Sequence, residues 1–339
     1  MKTTARYNTI DIAKAIAIVL VAIGHFDVEP MPEFYKGLDK VIYTFHMPLF
    51  LFVSGFLCVA TWKPLKYGDF LLKKFKRLMI PYFVTSVIII SIKLLTQSFM
   101  PVDNPVSAVD YIAMLWLPEA GFFLWFVYAL WWMMVIIPFF NTPARRLVLW
   151  VLSLPAYFWY GYVTDFFCLT QTARMGIFFV SGAVIYDIFD RLPLVKTLCG
   201  VSAVLFIPLA VASLQGATET GGFQADTLGL ITAFAGIGFA IAVSYAIETR
   251  CATHVRRPLY RLAGASYIVY LFHTTFMGFA KGVLSKLGYF AGSDLMMRYT
   301  LAELLVPGVA GVVVPYLLYR YLLVRHPLTR SLFGLQKGK

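Results

Sequence analysis

Long apolar runs alternate with short polar segments along almost the whole chain. Ten of these runs approach the ~20 residues that a helix needs to cross the hydrocarbon core of a bilayer. They lie at 10–28, 41–60, 78–96, 121–140, 147–162, 173–189, 196–214, 228–247, 266–284 and 299–323. The fifth run is short and contains Pro155. The pattern predicts an all-α, polytopic membrane protein of about ten transmembrane helices.

One further stretch, SAVDYIAMLWLP at 107–118, is too short to span a bilayer. It is better explained as an amphipathic helix that lies at the membrane interface or on the outer face. The chain shows no internal repeat, low-complexity segment or soluble domain. We therefore expect one integral-membrane domain over residues 1–339.

Composition agrees with this class, since 60% of the residues are hydrophobic and only 14% are charged, against about 25% in soluble domains. The four cysteines form no CxxC pair, which argues against a disulfide framework or a cysteine metal site, and no metal site is expected. The net charge of +12 would suggest nucleic acid in a soluble protein. Its distribution gives a different explanation.

Lysine and arginine are strongly biased toward alternate loops. If the N-terminus is cytoplasmic, twenty of these residues fall in inner segments and five in outer ones, while the outer loops carry many of the acidic residues. Positive charge marks the cytoplasmic side of membrane proteins. The sequence thus predicts that both termini are cytoplasmic, and it gives no reason to expect nucleic-acid binding.

The first apolar run, DIAKAIAIVLVAIGH, carries polar residues where they are costly. Lys14 and His25 are eleven residues apart, so they share one helix stripe about 16 Å long. Asp11 lies on a similar face and can orient Lys14 or keep it charged. Such groups are tolerated in a membrane only where they face protein or water. Because Asp11 and Lys14 interrupt the run and no cleavage site follows it, we expect an anchor rather than a signal peptide.

The second run contains YTFHMPLFLFVSGF at 43–56. His46 is expected at the outer start of its helix, at the same depth as His25, and Pro48 near the helix N-terminus, where a missing N–H costs little. Ser54 and Gly55 are small enough to let another helix approach. A packed, slightly polar helix remains the alternative interpretation.

A basic cluster, FLLKKFKRLMIPY at 70–82, follows in an inner segment. Lys74 and Arg77 share a face if this segment is helical. Such clusters often only fix topology or contact anionic lipid. The functional alternative is a binding site for a phosphorylated cytoplasmic ligand, which Lys14 would extend into the membrane.

Other polar residues lie within or beside the predicted spans. His273 follows Tyr267 and Tyr270 at three-residue steps on one face, and is either a satisfied core histidine or a site residue. Arg174 can hold an oxyanion or an acidic sugar, or pair with Asp165. Glu303 lies inside the last span, so we expect it to have a partner. The tryptophans can stack on sugars or form interfacial belts: Trp116, Trp125, Trp131 and Trp132.

The order of these motifs resembles the acyltransferase-3 family of bacterial membrane acyltransferases. The resemblance rests on Arg6 and Asp11 ahead of Lys14-x10-His25, on Pro-Leu-Phe and Ser-Gly-Phe in the second run, and on Arg77-x3-Pro81-Tyr82. LWF at 124–126, FFVSG at 178–182 and SYIVYLFH at 266–273 continue it. GHF together with FHMPLFLFVSGF is most similar to the fucose 4-O-acetylase-like subgroup.

The resemblance implies transfer of an acyl group, usually acetyl from cytoplasmic acetyl-CoA, to a hydroxyl of a cell-surface or lipid-linked carbohydrate. It implies a multi-pass protein of the bacterial inner membrane that contacts lipid and binds no cofactor tightly. His25 then becomes the central catalytic residue, and Asp11 is assigned to the catalytic residues with it, as the group that orients Lys14 or keeps it charged. Coenzyme A would be bound by Lys14, Lys73, Lys74 and Arg77. The chain has lysines where the family often has arginines. We expect it to lack the soluble extracytoplasmic domain that many members carry.

The residues are compatible with this chemistry. A neutral histidine can remove the proton from a sugar hydroxyl, and a covalent acyl-histidine is an alternative that nothing in the sequence requires. We expect the acceptor to be bound near His46, Trp125, Arg174 and His273. Two rival interpretations remain: a transporter or flippase for a lipid-linked glycan or polar metabolite, and a membrane scaffold. No repeated halves support the transporter.

Overall fold

The computed structural model describes residues 7–99, 102, 104–188, 192–216, 221–291 and 294–335. Arg6 and both ends of the chain lie outside the described residues. The helices are α1 (Asn8–Gly24), α2 (Glu33–Ala60), α3 (Tyr67–Thr96), α4 (Asp110–Ala113), α5 (Trp125–Ile136), α6 (Pro143–Phe158), α7 (Leu169–Ile188), α8 (Leu192–Leu214), α9 (Gly222–Arg250), α10 (Thr253–Lys286), α11 (Leu295–Leu323) and α12 (Pro327–Leu332). No strand occurs among the described residues, which confirms the all-α prediction for them.

Seven helical segments of the described chain are long and apolar enough to cross a membrane. They are Glu33–Ala60, Tyr67–Thr96, Phe122–Phe140, Phe166–Ile188, Thr197–Leu214, Gly222–Arg250 and Leu295–Leu323. The other three predicted spans correspond to α1, α6 and α10. The first two have only 17 and 16 residues, and the middle of α10 contains tyrosines and threonines beside His273, which lower its mean hydropathy. Ten transmembrane helices therefore stay a prediction.

Helix α1 lies in the interior of the bundle, packed against α2, α9, α10 and α11. Nine of its residues are buried, among them Ala17, Ile18 and Val21, which are 0% exposed. At 1.5 Å per residue this helix is about 26 Å long, shorter than a bilayer core of about 30 Å. Because protein surrounds it, α1 does not need to match the lipid thickness.

Helices α2 and α7 approach each other closely where they cross. A Cβ atom added to Gly55 would lie 1.8 Å from the Phe179 carbonyl oxygen, and one added to Gly182 would lie 1.9 Å from the Phe52 oxygen. Each helix thus offers a glycine to the backbone of the other. The Ser-Gly motifs of both helices serve this contact, as small residues do in membrane bundles.

Helix α2 begins at Glu33, well before the apolar run that predicted it. Its polar first turns stay helical because Tyr35 is buried against α11, where its hydroxyl donates to Thr300 Oγ1 at 2.9 Å. The expectation that His46 and Pro48 start this helix was therefore wrong, since both lie in its interior.

The segment 107–118 forms only a single helical turn, α4, rather than the predicted amphipathic helix. Its carbonyl groups are used by neighbouring helices instead. The Tyr82 hydroxyl donates to Met114 O at 2.8 Å, and the Tyr128 hydroxyl donates to Leu115 O at 2.6 Å. These bonds tie the segment to α3 and α5.

Helix α11 contains two π-helical stretches, Val306–Val313 and Tyr319–Leu323. Pro307 lies in the first, and a proline removes the N–H that an α-helical bond would need. Gly311 faces α1 and α10, where an added Cβ would lie 2.6 Å from Met277 Sδ and 3.2 Å from Ala22 Cβ. The widened winding thus accompanies a close approach of α11 to the end of α1.

Candidate active site

The carbonyl end of α1 is bound by side chains from other helices. The last carbonyl groups of a helix have no partner within it. Here the Tyr43 hydroxyl of α2 donates to Gly24 O at 2.8 Å, and Lys281 Nζ of α10 approaches His25 O at 3.4 Å. Lys281 also pairs with Asp27 at 2.7 Å. A cation at this end of the helix is favourable for the helix dipole.

A third helix holds the next residue. The Tyr299 hydroxyl of α11 donates to Phe26 O at 3.1 Å, and Val28 N donates to the same hydroxyl at 3.4 Å. Tyr299 is 0% exposed, as is Phe26, and their rings pack at 5.5 Å. Three helices therefore fix the backbone on both sides of His25.

The His25 ring is oriented by the turn that precedes it. Its Nδ1 lies 2.8 Å from Val21 O. A carbonyl oxygen only accepts hydrogen bonds, so Nδ1 must carry the proton. In the neutral ring the basic lone pair is then on Nε2. His25 lines a cavity, so this tautomer suits a proton acceptor.

Two further histidines lie close to His25, and each also has its Nδ1 bonded to a backbone carbonyl. Nδ1 of His46 donates to Ile42 O at 2.9 Å, and Nδ1 of His273 donates to Tyr270 O at 2.7 Å. The rings of His25 and His273 are 5.0 Å apart, edge to face. Nε2 of His46 and of His273 is buried, without a hydrogen-bond partner among the described residues. Such orphaned nitrogens are unusual in packed interiors.

The cavity has a volume of about 1010 Å³. Its aromatic and histidine lining includes Tyr43, Phe123, Trp125 and Tyr270 beside His25 and His46. Its charged lining consists of Asp27, Glu29, Lys93, Arg174 and Lys281. A volume of this size holds a small sugar or a drug-sized ligand.

The basic residues predicted for the donor lie on or beside the N-terminal half of α1. Lys14 is partly buried and close enough to Asp11 and Arg77 to interact with both electrostatically. Lys74 lies 5.2 Å from the Phe70 ring and next to Arg77, whereas Lys73 is exposed. The fold thus brings α1 and the basic part of α3 together.

The C-terminal segment also packs on this part of α3. Gly334, at φ +59°, sits so close that an added Cβ would lie 2.7 Å from Arg77 Cα. The Phe333 ring packs on Phe272 of α10 at 5.6 Å. The Tyr267 hydroxyl of α10 donates to Leu78 O at 3.0 Å. These contacts hold the basic turn of α3 in place.

A packed layer separates the two ends of α1. Lys14 and Arg77 do not line the cavity, and the helix between Lys14 and His25 buries Ala17, Ile18 and Val21 completely. Asp11 lies a further turn away from His25 and cannot touch atoms that react in the cavity. The predicted stripe is therefore present, but one described cavity does not join its ends.

The acyltransferase domain family matches residues 7–320, nearly the whole chain. The chain belongs to this acyltransferase-3 family. Nodulation protein NolL of Mesorhizobium japonicum (strain LMG 29417 / CECT 9101 / MAFF 303099) is similar to it, with 27% identity over 170 residues. This stretch is 45% of the chain and 41% of that protein, so the match spans about two-fifths of the relative. No solved structure matches the chain.

Three of the four residues predicted for the acceptor line the cavity of this acyltransferase-3 protein: His46, Trp125 and Arg174. His273 lies behind them and is 0% exposed. Glu303, which we expected to have a partner, is buried and its Oε1 has none among the described residues. All four cysteines are free.

Sequence reasoning missed several residues of the site. Tyr43 is three residues before His46 on the same helix face, and their rings pack at 4.9 Å, so helical spacing could have found it. Lys281 was counted only as an outer cation, although it binds the end of α1. Gln171 and Thr275 also line the cavity, and each has a buried side-chain oxygen without a hydrogen-bond partner in the described part of the chain; no sequence pattern distinguishes them.

Proposed function

We propose that this protein is a membrane O-acyltransferase with His25 as its general base. It moves an acetyl or similar acyl group from cytoplasmic acetyl-CoA to a hydroxyl of a cell-surface or lipid-linked carbohydrate. The observation that carries the proposal is the His25 ring, which the Val21 carbonyl fixes with Nε2 as the basic nitrogen in a cavity of sugar size. Membership of the acyltransferase-3 family supports the reaction class.

In the proposed reaction, Nε2 of His25 removes the proton from the acceptor hydroxyl as its oxygen attacks the thioester carbonyl. The carbon–sulfur bond then breaks, and the resulting imidazolium returns the proton to the coenzyme A thiolate. No net proton is gained or lost by the protein. Nδ1–H stays bonded to Val21 O throughout, so the ring keeps its orientation when it becomes charged.

The donor would bind at the opposite end of α1. Lys14, Lys74 and Arg77 supply positive charge for the phosphates of coenzyme A, and the exposed Lys73 extends this surface. The arm of the donor must then cover about 16 Å along α1 to reach His25. The proposal therefore requires the packed layer between the two ends to open when the donor binds.

The proposed topology has ten transmembrane helices, both termini in the cytoplasm, and a single domain over residues 1–339. It assigns the protein to the bacterial inner membrane, where acetyl-CoA is available on one side only. The excess of lysine and arginine in the inner segments supports this orientation. The sequence motifs at 24–26 and 45–56 favour an acceptor of the kind used by fucose 4-O-acetylase-like enzymes.

Label transfer tests the proposal directly. Purified protein in detergent would be incubated with radiolabelled acetyl-CoA and candidate glycan acceptors, and the label in the glycan would be counted. We expect label in the glycan only when protein, donor and acceptor are all present. Absence of transfer with every acceptor, combined with movement of a lipid-linked glycan across proteoliposomes, would instead support the transporter.

A further inference from the structure

Two cations of the described structure, one buried and one that lines the cavity, are paired with carboxylates. Arg146 of α6 forms a bidentate pair with Asp187 of α7, with Nε at 2.8 Å and a terminal nitrogen at 2.5 Å. Lys281 pairs with Asp27 at 2.7 Å. Arg174 also lies within a helical segment apolar enough to cross a membrane, but no carboxylate of the described residues forms an ion pair with it.

Aromatic groups hold Arg174 instead. Its guanidinium carbon lies 4.7 Å from the centroid of the Tyr160 ring, and the Tyr157 hydroxyl is beside it. That hydroxyl donates its own proton to Asp226 O at 3.1 Å, so toward Arg174 it can only accept. Stacking uses the face of a guanidinium and leaves its in-plane N–H groups available for a bidentate partner.

Among the described residues, neither of the two carboxylates that line the cavity is paired with Arg174. Asp27 pairs with Lys281. Glu29 is exposed, and its carboxylate accepts from Met31 N at 3.1 Å. Arg174 is itself exposed to the cavity that it lines, so its remaining N–H groups can reach an anion bound there.

Next to Arg174 on α7, Gln171 adds a polar contact for the same ligand. The residue lines the cavity, and its buried Oε1 has no hydrogen-bond partner among the described residues. An amide oxygen accepts from a hydroxyl, which an anion does not provide but a sugar does. The two side chains together therefore match a group that is both hydroxylated and negatively charged.

We propose that Arg174 selects an anionic acceptor, and that the acceptor of this acyltransferase is a glycan bearing a carboxylate or phosphate next to the hydroxylated sugar. This inference rests on the proposed function. It narrows the acceptor from carbohydrates in general to acidic sugars or sugars linked to phosphate, with Arg174 as a specificity-determining residue.

Equilibrium binding without any donor tests the inference separately from catalysis. Isothermal titration of the full chain in detergent would compare three probes: a uronic acid oligosaccharide, its neutral counterpart, and a sugar phosphate. We expect at least one charged probe to bind about tenfold or more tightly than the neutral one, in line with a charge-assisted hydrogen-bond pair. The charged probe that binds more tightly identifies carboxylate or phosphate as the group.

Arg174→Gln should abolish this preference while leaving affinity for the neutral probe within twofold, and Arg174→Lys should keep part of it. Lys286→Gln is the matched control, because Lys286 is an exposed cation that does not line the cavity. Equal affinity of the unaltered protein for charged and neutral probes would overturn the inference. So would an equal loss for all probes in Arg174→Gln, which would indicate a structural role.

If the preference is present but no acyl transfer is found, the anion site stands and the proposed function fails. If acyl transfer is found without a preference for the charged probes, the proposed function stands and the anion site fails.

Discussion

The crossing of α2 and α7 makes a sharp prediction, because it involves backbone rather than flexible side chains. In Gly182→Ala the new Cβ would start 1.9 Å from Phe52 O and 2.9 Å from Phe56 N. Ordinary contact begins near 3.4 Å, so the two helices would have to separate by about 1.5 Å. No side chain can rotate away to relieve this. We expect a loss of about 3 kcal/mol in the free energy of unfolding, at the upper end of overpacking costs.

A matched control lies on the same helix. Gly176 has no atom within 4 Å of the position its Cβ would take, so Gly176→Ala should be neutral or stabilising by roughly 0.5–1 kcal/mol through helix propensity. Denaturant unfolding in detergent, followed by tryptophan fluorescence, measures both variants. Gly182→Ala should also weaken acyl transfer, since α2 and α7 carry His46 and Arg174. Equal stability of the two variants would refute the close crossing.

Three further changes test other parts of the structure. Tyr299→Phe should cost about 1–3 kcal/mol in the free energy of unfolding, because it leaves Phe26 O buried without this donor. It should also slow acyl transfer by disturbing the end of α1, and an unchanged free energy of unfolding together with an unchanged transfer rate would contradict this. Arg146→Met should cost about 3–5 kcal/mol in the free energy of unfolding, because Asp187 is left largely buried and unpaired. The double variant Arg146→Met with Asp187→Leu should recover much of this loss, and no recovery would argue against the ion pair. Arg77→Gln should raise the KM for acetyl-CoA several-fold while the KM for the acceptor stays the same, and an effect on the acceptor alone would remove Arg77 from the donor site.

Relations within one helix were predictable from the sequence, because helical periodicity fixes which side chains share a face. Lys14 lies in the N-terminal half of α1, and His25 directly follows the last residue of the helix, about 16 Å further along, as their spacing indicates. His273 and Tyr270 share a helix and pack with ring centroids 5.9 Å apart. The basic segment of α3 lies near Lys14, which the motif order of the acyltransferase-3 family suggested and periodicity alone did not.

Relations between helices were not predictable in the same way. Nothing in the spacing of residues brings His273 to His25, or Lys281 and Tyr299 to the end of α1, since these contacts depend on how helices pack. The start of α2 was misplaced for a related reason: its polar first turns are held by Tyr35 against α11, a tertiary contact that the hydropathy pattern does not contain. Hydropathy finds the apolar part of a helix and misses a polar extension of it.

The central claim is that Nε2 of His25 acts as the base, and His25→Asn tests it most directly. The asparagine amide can donate to Val21 O from nearly the position of Nδ1, so the turn stays bonded while the basic nitrogen is removed. The measurement is kcat for acceptor-dependent acetyl transfer, with unfolding of each protein followed in parallel. We expect unfolding to be unchanged and kcat to fall by about 10²–10⁴-fold. A stable His25→Asn protein whose kcat stays within threefold of the unaltered enzyme would contradict the account.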